Sequence, residues 1–181
     1  DGDLDLLVAN GHVYPQIEFA GTGSSYAQPN QLFDNTGDGR FQLLLPQSGD
    51  SLGSARVSRG SSIGDYDDDG DLDILIANLD DRPSLLRNDV GNRNNWLGIK
   101  LIGRSSNRDG IGAHVRLVAG GSVQIRDAIR GSSFLSSQDP RLHFGLGAVT
   151  EVDTLEVRWP GGGVQRLLEM KVNRYHVVTE W

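Results

Sequence analysis

The sequence predicts an all-β protein, in which repeat units carrying acidic loops precede a small β-sandwich or barrel-like domain. Three observations support this. Glycine is abundant at 24 residues, and the apolar runs are short and bounded by Gly, Asn, Asp and Pro. A ten-residue segment occurs twice, as "DGDLDLLVAN" at 1–10 and "DGDLDILIAN" at 69–78, changed only by Leu to Ile and Val to Ile. Beyond residue 94, alternating apolar strands flank glycine-rich turns, and helical spacing is weak throughout.

Taken in order, the first copy leads from its acidic start into a strand. Residues 11–30, rich in Gly, Ser, Gln and Pro, read as an inserted loop. "QLFDNTGDGRF" (31–41) reads as strand, tight turn, strand, with Asn and Gly as the turn residues. In the second copy Leu72–Ala77 forms the strand, and "SLLRNDVGNRN" (84–94) is expected to repeat the strand–turn–strand plan. A different regime starts near Asn95. "NWLGIKLIG" is a strand, "VRLVAGGSVQIR" (115–126) is a hairpin about Gly-Gly, and "LEVRWPGGGVQRLL" (155–168) is a second hairpin. "RYHVV" is the last strand, and 167–172 is the one short helical candidate. The expected organisation is a repeat region over 1–94 and a separate β domain over 95–181.

The charge is −7 and the sequence pI about 5.0, with no basic stripe, so nucleic acid is not an expected partner. There is no cysteine, hence no disulfide framework and no thiolate metal site. No apolar run approaches the roughly 20 residues needed to span a bilayer, so membrane insertion is not expected. No signal segment is visible within these residues, and the expected exported address would place one upstream of them.

The chemistry concentrates in "GDYDDDGDLD" (64–73), where six carboxylates fall within nine residues. Like charges about 4 Å apart repel by roughly 4 kcal/mol per pair at an effective dielectric of 20, so such a loop needs a positive partner. Asp65, Asp67 and Asp69 stand at loop positions 1, 3 and 5. Gly70 permits the sharp turn, Asp71 offers its backbone carbonyl, and Asp73 closes the set at position 9. Hard oxygen donors in this number suit Ca²⁺, with Mg²⁺ second. An EF-hand would need Glu where Ile76 stands and a helix where a strand follows, so that reading fails. Asp68 is expected to point away from the ion. The first copy supplies Asp1, Asp3 and Asp5, equivalent to positions 5, 7 and 9. This partial second site would need upstream residues, so the chain is expected to be part of something longer, with that site absent or poorly occupied in isolation.

The two DGDLD-apolar-Asn segments resemble FG-GAP/VCBS repeats, the Ca²⁺-loop blades of integrin-type β-propellers. "NWLGIKLIG", "SNRDGIGAHVRL", "GSSFLSSQDPRLHFGLG" and "LEVRWPGGGVQ" resemble the ASPIC/UnbV domain, as in cartilage acidic protein-like proteins. The resemblance implies partial β-propeller blades with Ca²⁺ loops followed by a small β-sandwich-like cap. It also implies a non-enzymatic interaction or adhesion module of an exported protein, at an extracellular, cell-surface or periplasmic address. A closed propeller needs at least four blades and this chain holds at most two, so strand edges are expected to be exposed and available for self-assembly. The other partner is an unidentified protein or glycan.

Weaker patterns have structural explanations. Gly60-Ser61-Ser62-Ile63-Gly64 matches G-x-S-x-G, but a nucleophile elbow needs a helix to follow, and here the first metal ligand follows. Ser136, Ser137, Asp139 and His143 contain triad residue types without triad spacing, and His143 alternates with apolar neighbours as a structural residue. Trp96, Trp159 and Trp181 read as core or interface side chains before a sugar platform. Glu151, Asp153 and Glu156 read as a solvated strand face; a carbohydrate-binding or enzyme-accessory role would require a cleft with carboxylates about 5–10 Å apart.

Overall fold

A computed structural model describes residues 2–45 and 52–181, and within them the repeat in sequence is also a repeat in strand register. Strands β1 (Leu6–Val8), β2 (Gln31–Asn35) and β3 (Phe41–Leu44) form an antiparallel sheet in that order. Strands β4 (Ser58–Gly64), β5 (Asp73–Asn78) and β6 (Ser84–Leu86) form a second. Leu6, Leu7 and Val8 pair with Phe33, Leu32 and Gln31, while Ile74, Leu75 and Ile76 pair with Leu86, Leu85 and Ser84. Each copy therefore reproduces the same cross-strand neighbours.

After that the copies diverge. In the first, Gly37 (φ 76°) and Gly39 (φ 82°) occupy left-handed conformations, and the chain turns back as β3. In the second the expected hairpin does not form. Val90 sits at φ −123°, a 3₁₀ turn follows at Gly91–Arg93, and the chain leaves to become β7 (Asn95–Ile102) of another sheet. A β-branched residue cannot cheaply supply the positive φ that the tight turn needs.

The C-terminal half continues with β8 (His114–Ala119), β9 (Ser122–Asp127), β10 (Leu142–Gly147), β11 (Glu151–Val152), β12 (Thr154–Arg158), β13 (Val164–Leu167), β14 (Met170–Lys171) and β15 (Tyr175–Thr179). Two larger sheets, ordered β10-β7-β15 and β13-β12-β8-β9, share one apolar core, and β11 pairs with β14. Both predicted hairpins are present, with Gly120 and Gly121 at positive φ between β8 and β9. Leu97, Ile99, Val115, Leu117, Phe144, Leu155, Val157 and Trp159 are almost wholly buried in that core. The strand β15 runs parallel to β7, a pairing that needs a crossover and that alternation alone does not reveal. The helical candidate at 167–172 is instead a strand end, a left-handed Glu169 (φ 54°) and β14, whose Met170 is buried opposite Val152. Six residues are too few to favour helix over such pairing.

The two regions are stitched along the free edge of β4. The side-chain amide of Gln138 accepts from the Ile63 N–H (2.6 Å) and donates to the Ser61 carbonyl (3.1 Å), as a neighbouring strand would. Beside it the Ser62 hydroxyl donates to the Ser137 carbonyl (2.8 Å), so the serine of the G-x-S-x-G pattern is pinned to a strand edge. An edge that would otherwise expose peptide groups is thereby covered.

The chain end is fixed by a carboxylate. Glu180 accepts from the N–H groups of Arg104, Ser105 and Ser106 (2.7, 2.9 and 2.8 Å) and from the Ser106 hydroxyl (2.8 Å). These bonds, the Ser106 N–H foremost, hold its carboxyl down at about 2 against an ordinary 4.5. Because the folded value is depressed, the stabilisation is complete above pH 4.5 and disappears as the pH falls through about 2. Glu180→Gln is therefore expected to melt lower than the wild type at pH 7, with the gap closing over that acid window. A constant gap across it in a pH series of melting temperatures would contradict this role.

Candidate metal centre

The β4–β5 register sets the geometry of the acidic loop. Gly64 pairs with Asp73, so Asp65, one residue past β4, arrives beside the first residue of β5. Asp67 reaches back from the turn between them. Asp65, Asp67 and Asp73 each offer an oxygen, and the three oxygens lie within 4.8 Å of one another. Asp65 and Asp73 are buried (1% and 2% exposed), while Asp67 faces solvent.

Backbone amides aim the buried pair. Asp65 accepts from the N–H of Asp69 (3.1 Å) and of Gly70 (3.0 Å), and Asp73 accepts from those of Tyr66 (3.1 Å) and Asn88 (2.9 Å). Asp69 stands outside the group of three, its Oδ1 accepting from the Asp71 N–H (2.9 Å). Asp71, expected to contribute its carbonyl, has its side chain buried away from that group. The Asp67 carboxyl is held above its ordinary range by desolvation and then by the charges of Asp69 and Asp73. The oxygens are thus poised around a common point, and repulsion between them is uncompensated within the loop.

Part of the missing positive charge lies far along the chain. Arg141 bonds Asp139 through Nε and Nη2, and its guanidinium also donates to the Asp68 carboxylate and the Asp65 carbonyl. Asp68, at φ 60°, stands outside the group of three and is ion-paired with this arginine. The Tyr175 hydroxyl donates to Asp65 Oδ2 (2.8 Å), and the guanidinium lies 4.2 Å over the Tyr175 ring. Burial and then the Asp65 bond raise the Tyr175 pKa, while the Asp139 bond raises that of Arg141. Both keep their protons at neutral pH. Neither residue stands out in sequence, since 76 and 110 positions separate them from Asp65.

A third contact comes from His143, whose Nε2–H donates to the Gly70 carbonyl (2.9 Å). Its ring stacks on Trp96 (centroids 5.6 Å), and burial lowers its pKa, so it is neutral here and structural in role. Trp96 also meets Tyr175 edge-on (5.0 Å). At Gly70 (φ 98°) an added Cβ would sit 2.0 Å from Trp96 Nε1, which explains the glycine doubly.

The remaining sequence-level candidates are dispersed. Asp1 lies outside the described residues. Asp5 accepts from the Asn35 N–H (2.9 Å), the counterpart of the Asp73–Asn88 bond, and among the described residues no compact carboxylate group forms around Asp3 and Asp5. Asp139 is ion-paired with Arg141 (2.7 Å). Trp96 and Trp159 are buried and Trp181 is exposed. Glu156 is ion-paired with Arg166 (2.7 Å).

Comparison with known proteins locates these features within families. Residues 1–76 match the FG-GAP-like repeat, and residues 103–181 match the family described as ASPIC and UnbV. The chain is 30% identical over 142 residues to "Cartilage acidic protein 1" of Homo sapiens and of Mus musculus, covering 70% of this chain and 19% and 20% of theirs. Over 121 residues it is 30% identical to the Xenopus tropicalis protein of that name, covering 58% of this chain and 16% of the relative. The chain thus spans about a fifth of the length of the curated relatives it matches.

The contacts across the loop carry a test of their own. Tyr175→Phe leaves the Asp65 carboxylate one donor short at a buried position, and a loss of about 1–2 kcal/mol in urea unfolding is expected. Gly70→Ala, which meets both the indole and a left-handed φ, is expected to cost more than Tyr175→Phe. Wild-type stability in both variants would show that the loop does not rest on the C-terminal half.

Proposed function

The chain joins an FG-GAP-like repeat segment to an ASPIC/UnbV domain, and on that premise we propose that it is a Ca²⁺-binding, non-enzymatic interaction module of a larger exported or cell-surface protein. The convergence of Asp65, Asp67 and Asp73 on one point within 4.8 Å supports this reading. Two buried carboxylates oriented by four backbone amides are a prepared cradle for hard-cation coordination.

The residues divide the work. Asp65 and Asp73 supply fixed oxygens, exposed Asp67 closes over the entrance, and the Asp71 carbonyl completes the turn. Asp69 stabilises the turn through its bond to the Asp71 N–H. A bound divalent ion would add two positive charges among the carboxylates. Irregular geometry and several carboxylates favour Ca²⁺ over Mg²⁺, and a site of this openness suits the millimolar calcium found outside cells. That fits an extracellular, cell-surface or periplasmic address, and among the described residues no helix is long and apolar enough to cross a membrane. The partner would be a protein or glycan.

A second, structural reading has one observation in its favour. Leu75 and Leu85 form an exposed cross-strand pair on β5 and β6, and Phe41 and Leu43 are exposed on β3. Those faces suit packing by further blades or self-assembly through strand edges.

Calorimetric titration with CaCl₂ tests the main reading, together with melting in calcium and in chelator. Binding at a hundredfold excess over Kd should stabilise the fold by about 2.7 kcal/mol. Asp67→Ala, altering an exposed side chain, should fold normally and lose most of this gain. Equal melting in calcium and chelator, with no heat of binding, would remove the proposal.

A further inference from the structure

Charge is divided unevenly along the chain. Residues 1–94 hold 16 Asp and Glu against 6 Lys and Arg, whereas residues 95–181 hold 8 against 11. The C-terminal half is therefore net positive within an acidic protein, and strand register decides where that charge collects.

In the sheet ordered β13-β12-β8-β9, Val115, Leu117, Leu155 and Val157 fill the core, so the alternate residues form an outer face. On that face Glu156 lies directly across from Arg116 on one side and from Arg166 on the other. Arg158 follows two residues along β12. At about 4.8 Å between strands and about 3.4 Å per residue, the three arginine positions fall within roughly 10 Å of one another. They come from three different strands, which is why no basic run appears in the sequence.

One carboxylate stands among the three guanidinium groups. Glu156 Oε2 accepts from Arg166 Nε (2.7 Å), and this bond foremost, then the charges of Arg116 and Arg158, hold its carboxyl below the ordinary range. The other acid on the face, Asp127, is bonded to His114 (2.6 Å). Guanidinium charge thus remains in excess. Arg116 and Arg158 are exposed and the Arg166 side chain is 70% exposed, so that excess faces water. Ile125, across from Arg116, continues the face as an exposed apolar border.

We propose that this outer face binds an acidic polysaccharide, whose sulfate or carboxylate groups span Arg116, Arg158 and Arg166. Planar guanidinium forks match such oxyanions in a way that an ammonium group does not. Each exposed ion pair contributes little alone, but several on one polymer reinforce each other once the first is made. A flat, open face suits a chain laid across it. The choice of a polysaccharide rests on the exported or cell-surface address proposed above, and the site needs no cation in the acidic loop.

The test is therefore run in EDTA, with the 181-residue protein titrated by heparin and by polygalacturonate, which separate sulfate from carboxylate recognition. Saturable binding of either at low salt, weakening steadily as NaCl screens the face, is expected. Arg116→Gln and Arg158→Gln, both at exposed positions, should melt as the wild type does and each weaken binding about two- to fivefold, more when combined. Glu156→Gln removes the one carboxylate among the arginines and should tighten binding, a gain that a purely structural role would not give. Lys100→Gln, the same change of charge on β7, should leave binding unaltered. Several results would overturn the proposal: no binding of either polysaccharide, an equal loss in Lys100→Gln, or binding that appears only when calcium replaces EDTA. Binding of polyglutamate but of neither polysaccharide would replace it with an acidic protein segment as the partner.

Discussion

Repulsion among carboxylates held at short range is the constraint from which the rest of the structure follows. The β4–β5 pairing forces Asp65 and Asp73 together, and the turn brings Asp67 to them. Solvent cannot screen the two buried members well, so the loop holds its shape only if dipoles and cations face it. Four backbone amides meet the buried oxygens directly. They orient the carboxylates but carry no net charge. The buried carboxylates are therefore oriented while the loop remains strongly negative, and repulsion within it still favours a positive partner.

The protein answers that field partly from its own C-terminal half. Arg141 is oriented by Asp139 and stacked on Tyr175, so its charge reaches the loop already ordered. Tyr175 and His143 add neutral donors, to Asp65 and to the Gly70 carbonyl, and Trp96 packs between them. The junction between the repeat region and the C-terminal sheets is thus polar and charge-directed at the loop, and along β4 it is bonded edge to edge through Gln138.

Local patterns in the sequence made much of this legible. The aspartate spacing and Gly70 marked the loop, alternation marked the hairpins of the C-terminal half, and duplication marked the shared register of β1–β2 and β5–β6. What stayed hidden depends on distant contacts. Arg141 and Tyr175 carry no local motif, and the excess of carboxylates at 64–73 pointed to a bound cation and not to an arginine of the chain itself. The second hairpin was misjudged because the composition of 84–94 resembles a turn, yet Val90 stands where the first copy bends at glycine. The helix expected at 167–172 lost to pairing of Met170 with Val152, a tertiary contact that outweighs weak propensity. Asp71 looked like one more member of the loop. Only its depth and its lack of partners separate its side chain from that set.

One carboxylate belongs to both the acidic site and the junction. Asp65 Oδ2 accepts from the Gly70 N–H and from the Tyr175 hydroxyl, and Asp65 is also a member of the three-carboxylate group. Any cation that draws on this oxygen weakens its basicity toward Tyr175, and simultaneously fixes the loop that Arg141 and His143 grip. The second effect outweighs the first when ordering a nine-residue acidic turn costs more than one neutral hydrogen bond returns, which is the ordinary balance of loop entropy against a net bond of about 1 kcal/mol. Linkage then runs both ways: whatever tightens the docking of the C-terminal half onto the loop raises cation affinity by the factor that the cation contributes to docking. If the loop holds a cation as proposed, the ASPIC/UnbV domain takes part through Tyr175 and Arg141, and the affinity would be a property of both regions and not of the aspartates alone.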